Sequence, residues 1–365
     1  MTKTDENHSA WLISTAPVAA LGLFVLEHAG LLHAETVWVA LASAFLLLVS
    51  VFAAVHHAEV VALKVGEPFG SVLLALAVTV IETSLIVAAM LAGGAVENSL
   101  ARDTVFSAVS IVLNGVVGVC LLVGGVRYHE QAFRVSGTAS ALSVRATLAV
   151  LSLVLPNFTL TKLGPQYSPT QLVFVGALSV NLYAVFAFVQ SVRHRDYFLP
   201  EADSENCEEP AKPSAWATAA AALMLLVSLL AVVLLAETPS ESLELAIASA
   251  GLPPSFLGVV IAALVLLPES VAAIKAVDAN RVQTSLNLAI GSAIASIGLT
   301  IPAVAGVSLF LGRELTLGLD PEGTAILLLT LFVSSMTLAT GRATILQGAV
   351  HLVIFGVFLL LAAVP

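Results

Sequence analysis

Apolar runs of bilayer length, broken by short polar turns, recur eleven times along this chain. They fall near residues 12–32, 37–58, 70–92, 104–125, 139–160, 171–192, 215–236, 255–276, 283–310, 323–341 and 343–364. About 20 residues at a rise of ~1.5 Å cover a ~30 Å hydrocarbon core, so each run predicts a transmembrane helix. The expected fold class is therefore all-α, a polytopic membrane protein of about 11 transmembrane helices. The second run ends near the pair His56 and His57. The last two are separated by little more than Gly341 and Arg342, so one of them could be a re-entrant hairpin. One long polar interruption, RHRDYFLPEADSENCEEPAKP at residues 193–213, divides six runs from five.

Composition sharpens this plan. Of 365 residues, 59% are hydrophobic and 10% charged, against ~45–50% and ~25% in soluble domains. A formal charge of −10 argues against a nucleic-acid partner, and the apolar composition makes the lipid bilayer the expected surroundings. Cys120 lies in an apolar run and Cys207 in the polar linker, so they are not expected to pair, and no CxxC spacing offers a metal site. The opening residues MTKTDENHSA lack a basic region, so no cleaved leader is expected.

Lys and Arg divide unevenly between alternate loops. Eleven of the 14 (Lys3, Lys64, Arg127, Arg134, Arg145, Arg193, Arg195, Lys212, Lys275, Arg281 and Arg342) fall in one set; Arg102, Lys162 and Arg313 make up the other. Cationic loops stay on the cytoplasmic side. The N-terminus and the 193–213 linker are accordingly expected in the cytoplasm and the C-terminus outside.

Within the run VLLALAVTVIETSLIVAAML, Glu82 is the only ionisable residue. A carboxylate at the bilayer centre costs roughly 2.5–3.5 kcal/mol on insertion scales, so it must face protein or a wet cavity. Glu269 occupies the same setting in LGVVIAALVLLPESVAAIKAV, 187 residues later. The runs that follow also pair, VFSAVSIVLNGVVGVCLLVGG with VQTSLNLAIGSAIASIGLTIP, at an offset of 177. Glu82 stands in the third span and Glu269 in the eighth. Five spans per repeat is odd, so two inverted five-helix repeats are expected behind one leading helix. The domains read as 1–36 (N-terminal segment and first helix), 37–192 (first repeat), 193–213 (acidic linker) and 214–365 (second repeat). Entered from opposite faces, Glu82 lies roughly 18 Å and Glu269 roughly 21 Å deep.

Oxygen-bearing side chains cluster by sequence near both acids. Thr79, Thr83 and Ser84 flank Glu82, and Ser270 follows Glu269; Asn114, Asn287, Ser292 and Ser296 lie in the paired spans. Pro268 withholds a backbone donor and frees a carbonyl one turn back, as broken helices lining a cavity do. Gly115, Gly118, Gly291 and Gly298 permit close helix approach. Two buried carboxylates cannot both stay charged and unpaired; one divalent cation or two protons neutralise them. A hard cation takes about 6–8 oxygens, which these side chains, carbonyls and water can supply. A site costly to leave empty exchanges one occupant for the other.

The stretches GEPFGSVLLALAVTVIETSLI, RDT, and LPESVAAIKAV with VQTSLNLAIGSAIASIGLTIP resemble the ChaA-type Ca²⁺/H⁺ antiporters of the cation/Ca²⁺ exchanger superfamily. The resemblance runs from about His57 to His351 and includes the acidic linker and the TGR near the end. It implies an inner-membrane antiporter of eleven spans, exporting Ca²⁺ and in some members Na⁺ or K⁺ in exchange for H⁺. It also implies Glu82 and Glu269 as central ligands, with no cofactor beyond the transported ions. Relatives in the wider group carry Asn three residues before each acid. This chain has Thr79 and Leu266 there, so the second half-site loses an oxygen and selectivity for Ca²⁺ over monovalent ions is open.

Further polar residues admit more than one reading. Glu59 and Glu67, with His56 and His57, precede the third span and could form a cytoplasmic mouth in which His relays protons, or could be ordinary interfacial groups. The linker acids Glu201, Asp203, Glu205, Glu208 and Glu209 could gather Ca²⁺ or simply solvate a tether; they do not fit an EF-hand. His129 and Glu130 begin HEQAF, which lacks the second His of a zinc protease, and no P-loop or GxSxG elbow is present. A cation channel with the same acids, a Na⁺(K⁺)/H⁺-selective antiporter and, more remotely, an intramembrane hydrolase remain alternatives. Composition does not assign an oligomeric state.

Overall fold

The computed structural model describes residues 3–32, 37–66, 69–92, 98–198 and 212–365. Among them the helices are α1 (Lys3–His28), α2 (Val37–Val65), α3 (Phe69–Ala92), α4 (Leu100–Ser110), α5 (Val117–Tyr128), α6 (Val135–Ala149), α7 (Pro169–Phe188), α8 (Ala215–Leu235), α9 (Glu237–Ser249), α10 (Phe256–Asp278), α11 (Val282–Ala295), α12 (Ile301–Leu311), α13 (Pro321–Ala339) and α14 (Ile345–Ala363). Widened π-helical turns at Ile111–Val116 and Ser296–Thr300 join α4 to α5 and α11 to α12 into single long spans. Two more, Val150–Val154 and Val189–Arg193, follow α6 and α7. Ten helical spans have membrane length and hydropathy, and Ile13–His28 is a shorter apolar stretch. The chain is a polytopic all-α membrane protein.

Several local expectations change. α13 and α14 are each 19 residues long and apolar, so neither is a re-entrant hairpin. α10 runs unbroken through Pro268, because neighbouring turns keep the helix where proline removes one bond. α2 continues past His56 and His57 to Val65. α9, with five acidic or hydroxyl residues among its first six, has no counterpart in the hydropathy pattern.

The chain forms two compact units. The first contains Met1–Glu97 and Pro210–Pro254. Its centre is α2, whose face Ser43, Leu47, Ser50, Val51, Ala54 and Ala58 is buried at i, i+4 and i+3/i+4 spacing. α2 packs on α1, α3 and α8. The Ser43 hydroxyl donates to Glu27 Oε1 at 3.1 Å, and Lys64 Nζ donates to the Pro213 carbonyl at 3.0 Å. Gly66, just after α2, takes φ +76°, a left-handed conformation that glycine adopts without steric cost.

The second unit contains Asn98–Glu209 and Ser255–Pro365. Here small residues bring backbones together. A methyl group on Gly258 of α10 would lie 2.7 Å from the Asp103 carbonyl carbon and the Thr104 nitrogen of α4. One on Gly348 of α14 would lie 2.5 Å from the Leu122 nitrogen of α5. Gly115 and Gly118 also abut α14, and Gly298 abuts Tyr183 of α7. Gly291 does not serve as expected: a methyl there would meet nothing within 4 Å. The strands β1 (Gln131–Ala132) and β2 (Arg342–Ala343) pair antiparallel beyond the ends of α5 and α13. Outward faces such as Leu328, Phe332 and Met336 on α13 and Val353 and Leu360 on α14 stay exposed, the apolar surface that lipid covers.

Candidate functional site

In the first unit, Glu82 sits in the second half of α3 and is 1% exposed. Thr79, three residues before it, lies on a neighbouring face of the helix, whereas Thr83, the next residue, is turned about 100° away. The Thr79 hydroxyl donates to the Ala75 carbonyl at 2.7 Å, which leaves its lone pairs able to accept or ligate. Thr83 Oγ1 is buried without a hydrogen-bond partner among the described residues. A buried hydroxyl left in that state costs about 1–3 kcal/mol. Ser84 turns back to the Val80 carbonyl at 2.5 Å.

The accessory residues of this unit lie on α2. His57 is 8% exposed with Nε2 lacking a partner among the described residues, whereas His56 and Glu59 are exposed. The two imidazoles meet edge to face at 5.4 Å. Glu67 lies outside the described residues, as do Glu201, Asp203, Glu205, Cys207, Glu208 and Glu209.

In the second unit, Glu269 is half-buried on α10, and the Ser270 hydroxyl donates to the Leu266 carbonyl at 2.6 Å. α4, the widened turn and α5 run alongside α10 in the same direction. Gly258 meets Asp103 and Thr104 at one end, and Gly124 faces Val277 near the other. Interpolating between these contacts at ~1.5 Å per residue puts Asn114 about level with Glu269.

Asn114 is wholly buried, with both ends of its amide engaged. Its Nδ2 donates to Thr330 Oγ1 at 2.8 Å, and its Oδ1 lies 3.3 Å from His351 Nδ1. His351 Nε2 in turn lies 3.2 Å from the Thr337 hydroxyl. This chain ties the widened turn to α13 and α14. In this arrangement Asn114 faces that network.

The remaining expected residues are spread along α11. Ser292 Oγ is buried without a hydrogen-bond partner among the described residues, and Ser296 is 2% exposed at the start of a widened turn. Asn287 instead accepts from Gln283 Nε2 at 2.9 Å and donates to the Phe198 carbonyl, anchoring the segment that precedes the linker.

Sequence reading passed over two groups that obey the same rule as the glutamates, an ionisable residue inside an apolar span. His351 is one. Arg145 is the other: it was counted among loop cations, yet it is 0% exposed within α6. Cys120, 1% exposed, lies 3.2 Å from Ser285 Oγ, in keeping with an inert thiol. Among the described residues no group of three or more His, Cys, Asp or Glu gathers as a resident metal site.

Carboxylates inside the spans of a multi-pass helical protein are rare and point to a path for polar solutes. The sodium/calcium exchanger protein family model matches residues 35–192 and 220–364, and the chain belongs to that family. It is 49% identical over 360 residues to the putative ionic transporter y4hA of Sinorhizobium fredii, covering 98% of this chain and 96% of that one. It is 35% identical over 317 residues to the sodium-potassium/proton antiporter ChaA of Escherichia coli, covering 86% of each. Among solved structures, an H⁺/Ca²⁺ exchanger CAX superposes with TM-score 0.70 at 17% identity, covering 98% of this chain and 89% of that one, a likeness of fold.

Proposed function

We propose that this protein is a secondary antiporter of the inner membrane, exporting a cation (Ca²⁺, Na⁺ or K⁺) in exchange for H⁺ by alternating access. One cation or protons compete for the Glu82 and Glu269 carboxylates, with Thr79, Thr83, Ser270 and Ser292 as further oxygens. The carrying observation is Glu82, 1% exposed inside a 24-residue apolar helix. A charged carboxylate there is costly unless a cation or a proton neutralises it.

Two inverted repeats that rock between inward and outward states supply the alternation. The charge distribution of the loops supports a cytoplasmic N-terminus; with Arg145 removed from the count, the larger set is still about three times the smaller. Divalent exchange at two carboxylates is electroneutral at two protons per Ca²⁺. Monovalent selectivity is supported by Thr79 and Leu266 in place of amides, and by the 35% identity to a sodium-potassium/proton antiporter.

Exchange driven by a pH gradient in everted vesicles tests the proposal. Glu82→Gln and Glu269→Gln should each abolish cation-dependent proton movement. Persistent exchange in either would reject the site, and flux that follows voltage but ignores the pH gradient would favour a channel.

A further inference from the structure

Arg145 is fully buried in α6, in the second unit. Its Nη2 donates to the Val109 carbonyl of α4 at 3.2 Å, while Nε and Nη1 have no partner among the described residues. Guanidinium stays protonated in proteins, so this is a permanent positive charge inside the span. Carboxylates that could cancel it are missing from the neighbouring helices: α6, α7 and α11 contain no Asp or Glu. The nearest acid along α4, Asp103, is taken up by Arg102 at 2.7 Å. On α13 the acid is Glu322, in the first turn and exposed.

The charge is also close in depth to Glu269. Along the parallel run of α4 and α10, the Val109 carbonyl falls about level with Ala263, roughly 9 Å along the axis from Glu269. With helix axes ~8–10 Å apart, that offset puts the Val109 level of α4 and the Glu269 level of α10 on the order of 10–15 Å apart.

We propose that Arg145 is a fixed interior cation that sets the valence of the transported ion, favouring Na⁺ and K⁺ over Ca²⁺. The proposal rests on the reading of Glu82 and Glu269 as the shared carboxylates. Two carboxylates and one guanidinium leave one net negative charge. A single monovalent cation neutralises it, and a single proton does the same. A divalent ion would leave an uncompensated positive charge in low dielectric. Each unit of ion charge feels Arg145 once, so Ca²⁺ is penalised once more than Na⁺. At a separation of that order and an effective dielectric of ~20, the difference is about tenfold in affinity, or about 1.4 kcal/mol. The corresponding exchange is one Na⁺ or K⁺ per H⁺, without net charge movement.

The test uses the full chain in proteoliposomes, with Na⁺, K⁺ and Ca²⁺ as probes and internal pH as readout. The wild type should exchange Na⁺ or K⁺ at lower concentrations than Ca²⁺. Arg145→Gln should raise the apparent affinity for Ca²⁺ relative to Na⁺ about tenfold, and Arg145→Lys should keep the wild-type ratio. A monodisperse Arg145→Gln protein with an unchanged ratio overturns the proposal. Should that variant fail to fold, a wild type that takes Ca²⁺ in preference to both monovalent ions overturns it equally. Glu269→Gln run in parallel separates the two readings: if it still exchanges, the carboxylate assignment fails, whereas a valence ratio indifferent to Arg145 in a protein silenced by Glu269→Gln condemns only Arg145.

Discussion

Gly258 offers the sharpest test of how the second unit is assembled. Replacing it with alanine adds a methyl group 2.7 Å from two backbone atoms of α4, the Asp103 carbonyl carbon and the Thr104 nitrogen, and 2.8 Å from Asp103 Cβ. Ordinary contact begins near 3.4 Å, and the obstructing atoms belong to a helix rather than to a flexible side chain. α4 and α10 must therefore part by several tenths of an ångström. Overpacking of this kind costs about 1–3 kcal/mol. The gain of about 0.5–1 kcal/mol when alanine replaces a mid-helix glycine does not apply in full to Gly258, which lies in the first turn of α10. Gly291→Ala isolates that gain, since a methyl group there meets nothing within 4 Å. Thermal unfolding in detergent should show Gly258→Ala below wild type and Gly291→Ala at or above it. Because α10 carries Glu269, exchange should slow in the first variant and persist in the second. Equal melting temperatures for the two variants would refute the packing argument.

Three further outcomes are expected. His351→Ala strands the Asn114 carbonyl oxygen and the Thr337 hydroxyl in a buried site, so stability should fall by about 1–3 kcal/mol for each group left unpaired; thermal unfolding beside Thr337→Val, which removes one partner, measures it. The hydrogen bond and charge of Lys162, 3.0 Å away, hold the exposed Glu314 carboxyl below its ordinary value. Its folded pKa being depressed, the pair's contribution is present above the ordinary carboxylate range and lost as pH falls through the lower folded value. The small difference between wild type and Lys162→Met should thus vanish in acid and in high salt. In a Cys207→Ser background, Cys120 should resist maleimide in the folded protein and react only after denaturation.

Hydropathy located the membrane spans because bilayer length imposes itself on composition, and solitary charges such as Glu82 stand out against that background. Other features leave no such mark. The widened turns at Ile111–Val116 and Ser296–Thr300 add backbone register without changing residue type, so the partners of Asn114 could not be read from spacing. Pro268 suggested a break, but a surrounding helix absorbs one missing donor. Arg145 was misassigned because it stands near the start of its span, where loop and helix cations look alike until burial is known. α9 escaped notice since its acidic first turns resemble a loop.

The short strand pair has a mechanical meaning. β1 and β2 lie more than 200 residues apart in sequence, and the Phe133 amide bonding Gly341 at 2.9 Å, with Arg342 on Glu130 at 3.0 Å, fastens the exit of α5 to the entrance of α14. Their glycine seam gives those helices no slack sideways, and this latch denies them slippage lengthwise. They should behave as one strut in any rearrangement of the second unit, and the give must come from the joints around them.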